Sequence, residues 1–187
     1  MPTQKSTDKW KNKRWFNIYT PKILGEAPIG EMPAKEDSNA SGRVIKVSLS
    51  WITKNPAHSF MNVGLKVKRI DSNAAHTEIK YLENNYGYIH SLVKRYKSAI
   101  YTVDNVKDKD GKALVVKLLA ITSGRIPTPK RTGIRKELSK FAVAYTSSLN
   151  GEEFLKSVIE GKLQEEGLKV IKKIAPISKL EVKRIEF

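Results

Sequence analysis

A nine-residue run that is apolar at all but one position restricts how this chain can fold. It begins at Ala113 and reads Ala-Leu-Val-Val-Lys-Leu-Leu-Ala-Ile. A strand this apolar is covered on both faces, which is typical of a central place in a sheet. The turn Asp108-Lys109-Asp110-Gly111 precedes it, and Asp-Gly favours the positive φ angles of a tight turn. The sequence therefore predicts a hairpin in which Ala99–Val106 pairs with Ala113–Thr122.

Further segments are rich in β-branched and aromatic residues and are bounded by turn formers, which predicts strands. They are Trp15–Thr20, Arg43–Thr53, Met61–Ile70 with Ala74–Leu82 across the turn Asp71-Ser72-Asn73, and Leu180–Phe187. Pro28–Gly42 is rich in Gly, Pro, Ser and Asn, so we expect a loop there. Together with the helices below, these strands predict an α+β fold with a mostly antiparallel sheet.

About three helical regions are predicted from apolar residues that recur at helical spacing and from capping residues. The first runs from a cap at Asn84 or Asn85 to Lys97, with the apolar stripe Tyr86, Ile89, Val93 and Tyr96. The second opens at Thr128-Pro129 and runs to about Tyr145, with the stripe Ile134, Leu138, Phe141 and Tyr145. The third begins with a capping box at Asn150 and Glu153, and we expect a break or kink near Gly161 and Gly167 before it ends at about Ile174.

The distribution of charge indicates a polyanionic partner. The 187 residues include 35 Lys and Arg against 19 Asp and Glu, a net charge of +16. Residues 1–23, 94–97 and 125–140 carry +5, +3 and +5, so three short stretches hold 13 of the 16 charges. Clustered cations repel one another, and a phosphate-rich surface relieves that repulsion. The alternative is a merely alkaline protein, since a run of charge is usually a solvated face.

The side chains of the basic residues can bind the phosphate backbone of RNA. Arg131 with Arg135, and Lys136 with Lys140, are four apart on a helix and can straddle backbone phosphates. The mixture of Arg and Lys suits irregular RNA better than one defined major groove. The predicted RNA-binding residues are Lys9, Lys11, Lys13, Arg14, Lys22, Lys94, Arg95, Lys97, Arg125, Lys130, Arg131, Arg135, Lys136 and Lys140. Trp10 and Trp15 are flanked by these cations and could stack on bases. For Trp15 we expect a place in the core instead, whereas Trp10 either stacks on a base or anchors the tail.

Other classes of protein lack support in the sequence. There is no cysteine, His58, His76 and His90 are far apart, and no phosphate-binding glycine loop occurs, so we predict no metal site, no cofactor and no catalytic residue. No signal peptide or membrane span is recognisable, so we expect a cytoplasmic protein without a membrane partner. Residues 13–187 are predicted to form one RNA-binding globular domain, and residues 1–12 a basic tail that is disordered when free.

The sequence resembles the archaeal and eukaryotic small-subunit ribosomal protein family S3Ae. The resemblance covers roughly residues 10–187 and rests on five motifs in register. They are Lys13-Arg14-Trp15-Phe16-Asn17-Ile18-Tyr19-Thr20-Pro21-Lys22 with Gly25-Glu26, Ile29-Gly30-Glu31 and Pro33-Ala34; Gly42-Arg43-Val44 with Val47-Ser48-Leu49; Ile89-His90-Ser91-Leu92-Val93-Lys94-Arg95; Lys109-Asp110-Gly111; and Ile134-Arg135-Lys136. Because no basic extension follows Phe187, the chain is similar to the archaeal form.

The resemblance implies a barrel-like sheet flanked by helices, bound to small-subunit ribosomal RNA. It places the protein on the platform near the messenger exit, with other platform proteins as neighbours, as a non-catalytic constituent that supports translation. Two rival functions fit the residues alone. One is a free-standing RNA- or DNA-binding regulator, which would bind its site outside the ribosome. The other is a nucleic-acid-modifying enzyme, which would need a pocket with convergent titratable groups.

Overall fold

Eight strands and six α-helices follow one another in mixed order in a computed structural model that describes residues 13–187. The strands are β1 (Arg14–Tyr19), β2 (Pro28–Ala34), β3 (Val44–Ser48), β4 (Met61–Asp71), β5 (Ala74–Asn84), β6 (Ala99–Lys107), β7 (Ala113–Thr122) and β8 (Ile177–Glu186). The helices are α1 (Asp37–Ala40), α2 (Leu49–Thr53), α3 (Tyr86–Leu92), α4 (Thr128–Ser148), α5 (Gly151–Ile159) and α6 (Lys162–Ile171). The predicted α+β class is therefore confirmed. The predicted tail of residues 1–12 lies outside the described residues.

The described residues divide into two compact units. The first contains residues 13–47 and 64–80, and the second contains Ser48–Val63 and Tyr81–Phe187. The hairpin strands β4 and β5 each contribute residues to both units. The turn of the β4–β5 hairpin is at Ser72 and Asn73, as expected, and Ser72 has a positive φ of 55°.

In the first unit, β1 lies between β2 and the start of β5. It is antiparallel to β2 and parallel to β5, so the sheet is mixed. Phe16 and Ile18 are buried in a core that includes Met32 and Val67. Side chains alternate along a strand, so burying Phe16 and Ile18 turns Trp15 outward. The interpretation of Trp15 as a core residue is wrong, since 56% of it is exposed.

Two predicted boundaries in this part of the chain are also wrong. Pro28–Gly42 is not a loop, because residues up to Ala34 pair with β1 as strand β2 and α1 follows. The strand predicted for Arg43–Thr53 ends at Ser48 and continues as helix α2. Hydrogen bonding to β1 outweighs the tendency of Gly and Pro in β2 to form a loop. Because β2 is an edge strand, its Pro residues are tolerated.

In the second unit, β7 is a central strand, as its composition predicts. It pairs antiparallel with β6 on one side and with β8 on the other, and β8 continues the sheet to the end of β5. Leu118, Leu119 and Ala120 are fully buried, so both faces of β7 are covered. The hairpin of β6 and β7 is confirmed, and Gly111 has the positive φ of its turn. Within residues 13–187 the strand order stays open, so the implied barrel is not observed.

Helix α4 packs on β6 and positions the largest group of cations. It begins at Thr128, one residue before the predicted start, and runs on to Ser148. Ile134, Leu138, Ala142 and Thr146 form its buried stripe. Ile134 and Leu138 were correctly predicted, but Phe141 is only half-buried, beside Tyr145 at 5.4 Å between ring centroids.

The region predicted as one interrupted helix forms α5 and α6. The predicted capping box at Asn150 and Glu153 is present, and in it Glu153 accepts the Asn150 backbone N–H at 3.3 Å. The break is at Gly161, whose φ of 82° favours glycine. Helix α6 runs through Gly167 without a break. Gly167 is buried inside α6, where a Cβ atom would stand 2.6 Å from Leu180 Cδ2. The described residues contain six α-helices, and so the expectation of about three is not confirmed.

Helix α3 is shorter than predicted. Asn85 caps it by accepting the Gly87 N–H at 3.3 Å, but it ends at Leu92 and not at Lys97. Of its predicted stripe only Ile89 is buried, and it packs against Leu119 and Ile121. None of the helices in the described part of the chain has the length and apolar character needed to cross a bilayer.

Candidate nucleic-acid interface

Two of the three basic stretches meet at Ser98. Ser98 is 4% exposed and ends the loop that carries Lys94, Arg95 and Lys97. Its hydroxyl accepts the Arg131 Nη2 proton at 3.1 Å and the Ile126 backbone N–H at 3.4 Å. Arg131 also donates from Nε to the Ile126 carbonyl at 3.1 Å. The loop after α3 is therefore joined to the segment that leads into α4.

Thr122 fixes this junction to the sheet. It is fully buried, and its hydroxyl accepts the Ser98 N–H at 2.9 Å and donates to the Gly124 carbonyl at 2.6 Å. The Thr122 N–H in turn donates to the Ser98 carbonyl at 3.0 Å. Satisfied buried hydrogen bonds of this kind hold a backbone in one arrangement.

An aromatic residue and a cation form the second contact between the two stretches. The Arg125 guanidinium carbon lies 5.4 Å from the ring centroid of Tyr96, within the range of a cation–π interaction. Tyr96 has a φ of 64°, a left-handed conformation that costs a bulky residue on the order of 1–3 kcal/mol. Tyr96 is nevertheless 72% exposed.

We call the cations held around this junction and along the first half of α4 the basic cluster. Its members are Lys94, Arg95, Lys97, Arg125, Lys130, Arg131, Arg135 and Lys136. Arg131 is half-buried by its hydrogen bonds, and Lys97 is half-buried with Ser178 Oγ 3.5 Å from Nζ. The other six are exposed. Lys140 lies further along α4 and pairs with Glu137 at 2.9 Å, so part of its charge is compensated.

The electrostatics of the basic cluster favour an anionic ligand. Within residues 13–187, no carboxylate lies within 4.0 Å of Lys94, Arg95, Arg125, Arg135 or Lys136. Exposed cations that flank one junction without counter-charges attract polyanions, whose condensed counterions are released on binding. The Arg side chains add planar forks that fit phosphate oxygens.

The remaining predicted site residues belong to the first unit or fall outside the description. Arg14 is exposed on β1 and pairs with Asp37 at 2.9 Å. Lys22 is exposed in a 3-10 turn, and Lys13 precedes β1. Lys9 and Lys11 lie outside the described residues. The side chain of Trp15, next to Arg14 in the sequence, is exposed, so this aromatic ring is available to a ligand.

A model of the ribosomal S3Ae family matches residues 2–187. The chain belongs to the ribosomal S3Ae family. This confirms the resemblance that the sequence motifs carry. The members of the S3Ae family are ribosomal proteins. The chain is accordingly a structural component and not an enzyme.

Archaeal relatives cover nearly all of this S3Ae chain. It is 35% identical over 179 residues to the small ribosomal subunit protein eS1 of Pyrobaculum aerophilum, which is 96% of this chain and 81% of that protein. The protein of the same name from Archaeoglobus fulgidus is 33% identical over 181 residues, with 96% and 86% covered. That of Sulfurisphaera tokodaii is 33% identical over 177 residues, with 95% and 92% covered. The expected archaeal type is confirmed.

One cavity in the second unit brings titratable groups together. The cavity has a volume of about 360 Å³ and is lined by Tyr88, Lys179 and Glu181, among others. Glu181 accepts hydrogen bonds from Tyr88 and Lys179, both at 2.8 Å. Burial raises the pKa of the Tyr88 phenol, and for Lys179 the hydrogen bonds to Glu181 and Tyr88 outweigh burial and raise its pKa. Both groups therefore stay protonated at neutral pH, so neither is a base.

The sequence interpretation missed Ser98, Thr122 and the role of Tyr96. Ser98 and Thr122 are small polar residues at the ends of predicted strands, and nothing in the sequence pairs them across 24 positions. Tyr96 fits the period of an apolar stripe, which conceals its exposure. Its neighbours Arg95 and Lys97 do not reveal that exposure either, since Val67 lies between Lys66 and Lys68 and is buried.

Proposed function

We propose that this S3Ae chain is a constituent of the small ribosomal subunit that binds ribosomal RNA through its basic cluster. The observation that carries the proposal is the junction at Ser98, which brings cations from residues 94–97 and 125–131 together. Phosphate contacts supply affinity and fix orientation on the RNA, without reading its sequence. Archaeal relatives named as small-subunit proteins support the assignment.

The finer location follows the family resemblance. We place the protein on the platform of the subunit near the messenger exit, in the cytoplasm, with other platform proteins as neighbours. The first unit adds Lys13, Arg14 and Lys22 to the RNA contacts, and Lys9 and Lys11 extend them along the chain. Residues 13–187 act as one RNA-binding body in this proposal, and residues 1–12 become ordered on RNA.

Salt-dependent binding tests the role of the basic cluster. We expect Arg135→Gln with Lys136→Gln to weaken binding to small-subunit ribosomal RNA and to flatten the log–log salt slope by about 1.4 to 1.8, since each lost phosphate contact changes it by roughly 0.7 to 0.9. The matched control is Lys169→Gln with Lys172→Gln, which removes the same charge from exposed positions of the same unit. Equal losses in both double variants would mean that only net charge matters.

The absence of cysteine permits a direct test of the location. A single cysteine introduced as Lys136→Cys can carry an iron chelate that cleaves nearby RNA in assembled subunits, and Lys169→Cys serves as the control. We expect strong cleavage of platform RNA from Lys136→Cys and weak cleavage from Lys169→Cys. Cleavage confined to another region of the subunit would refute the proposed location. A chain that sediments apart from subunits at low salt would instead favour the free-standing regulator.

A further inference from the structure

Tyr96 occupies a position that stability of the fold does not explain. Its φ of 64° is one that Gly or Asn adopts more easily, so a bulky aromatic residue is strained there. The side chain is 72% exposed, so little apolar surface is buried in return. A strained and exposed aromatic residue is typical of a residue retained for binding.

The surroundings of Tyr96 match one kind of ligand. The Arg125 guanidinium lies over the ring at 5.4 Å, and Lys94 and Arg95 are exposed in the same loop. An unpaired nucleotide needs a flat π surface for its base and cations for the phosphates on either side. A base within a duplex is already stacked on both faces, which leaves it unavailable to a side chain.

We propose that Tyr96 is a stacking site for an unpaired RNA base, with Arg125 holding the ring and the neighbouring cations holding the backbone. The inference rests on the proposed function and adds a class of ligand to it, a single-stranded loop or bulge. Stacking tolerates every base, so the site selects unpaired structure and not sequence.

Tyr86 provides a matched control within the same unit. It is 73% exposed, and Tyr96 is 72% exposed, so the two residues are equally accessible. The Tyr86 ring lies 4.1 Å from that of His90, with Asn85 and Gly87 as neighbours in the sequence. Comparing the two variants therefore distinguishes the effect of removing any exposed tyrosine from the effect of removing one that lies among the cations of the basic cluster.

The test compares two single-stranded RNAs of about 12 nucleotides, a length within the usual range of such sites. One carries its bases and the other is abasic throughout, so both have the same phosphates. We expect Tyr96→Asn to bind the first about 10-fold more weakly, the loss typical of one stacked base, and to bind the abasic strand like the parent. The salt slope should stay unchanged, because no phosphate contact is removed. Tyr96→Phe, which keeps the ring, and Tyr86→Ala should bind both strands like the parent.

The outcomes separate the inference from the proposed function. An unchanged affinity of Tyr96→Asn for the base-carrying strand would overturn the stacking site, and so would an equal loss on both strands. A parent protein that binds neither strand in a salt-dependent way would overturn the proposed function, and the stacking site with it. Thermal melting checks folding, since Asn relieves the strained backbone. Tyr96→Gly repeats the comparison should Tyr96→Asn melt early.

Discussion

Two helical glycines of the second unit should respond in opposite directions to the same substitution. Gly133 lies in α4 and Gly167 in α6, and Gly→Ala inside a helix ordinarily stabilises a protein by about 0.5–1 kcal/mol. A Cβ at Gly133 would stand 4.0 Å from Ile174 Cγ2, an ordinary contact. A Cβ at Gly167 would stand 2.6 Å from Leu180 Cδ2 and 3.0 Å from Phe141 Cε1.

The crowding at Gly167 outweighs the gain in helix propensity. Carbon atoms pack best at about 3.5–4.0 Å, so Leu180 or the helix has to move by roughly 1 Å. Leu180 is 3% exposed on β8 and also lines the 360 Å³ cavity, so a shift of its side chain into that cavity is the movement that would lessen the clash. Overpacking of this kind costs about 1–3 kcal/mol, so Gly167→Ala should lower the free energy of unfolding by about 1 kcal/mol net.

Thermal unfolding measures the difference directly. For a chain of this size, 1 kcal/mol corresponds to about 2–4 °C in Tm, so Gly133→Ala should melt a few degrees above Gly167→Ala, with the parent between them. Both glycines belong to one unit, so the same transition reports on both. Gly167→Ala melting above the parent would show that α6 moves away from β8 freely, and the argument from close approach would fail.

Other predictions concern the core of the second unit and its response to pH. Leu138→Ala should lower the free energy of unfolding by about 2–5 kcal/mol, as expected for a fully buried Leu, and by more than Phe141→Ala; urea unfolding that ranks them the other way would contradict the observed stripe. The hydrogen bond from Lys117 at 2.8 Å lowers the pKa of the Glu186 carboxyl below its usual range. A lowered carboxyl pKa contributes stability that is present above the unfolded pKa and is lost as pH falls through the folded pKa. The drop in Tm below about pH 4.5 should therefore be shallower in Glu186→Gln, and parallel Tm curves would exclude this contribution.

Local signals predicted the parts of the fold that depend on neighbouring residues. The apolar composition of β7, the turn at Gly111 and the cap at Asn85 each act within a few positions, and the structure has all three. Trp15 was misread because its aromatic character was given more weight than alternation with Phe16. Phe16 and Ile18 are two positions apart and therefore lie on the same face of β1, so their apolar character indicates that Trp15 lies on the other, exposed face.

The site depends on contacts that no local pattern contains. The charge of residues 94–97 and 125–140 is visible in the sequence, so its members could be listed in advance. Their convergence depends on Ser98. Its hydroxyl accepts hydrogen bonds from Ile126 and Arg131, which are 28 and 33 positions away in the sequence. A period of apolar residues predicts a helix through Tyr96, whereas the chain leaves the helix after Leu92 and pairs Ser98 with Thr122.

The anchoring of Ser98 by Thr122 affects the entropy of association. Ordering a free backbone costs about 1–2 kcal/mol per residue, so a flexible basic peptide incurs this cost when it meets RNA. Here the backbone at Ser98 is fixed at both its N–H and its carbonyl before any ligand arrives. Only the side-chain rotamers of the surrounding cations lose freedom on binding. Each phosphate contact therefore retains more of its free energy than the same contact made from an unstructured polycation.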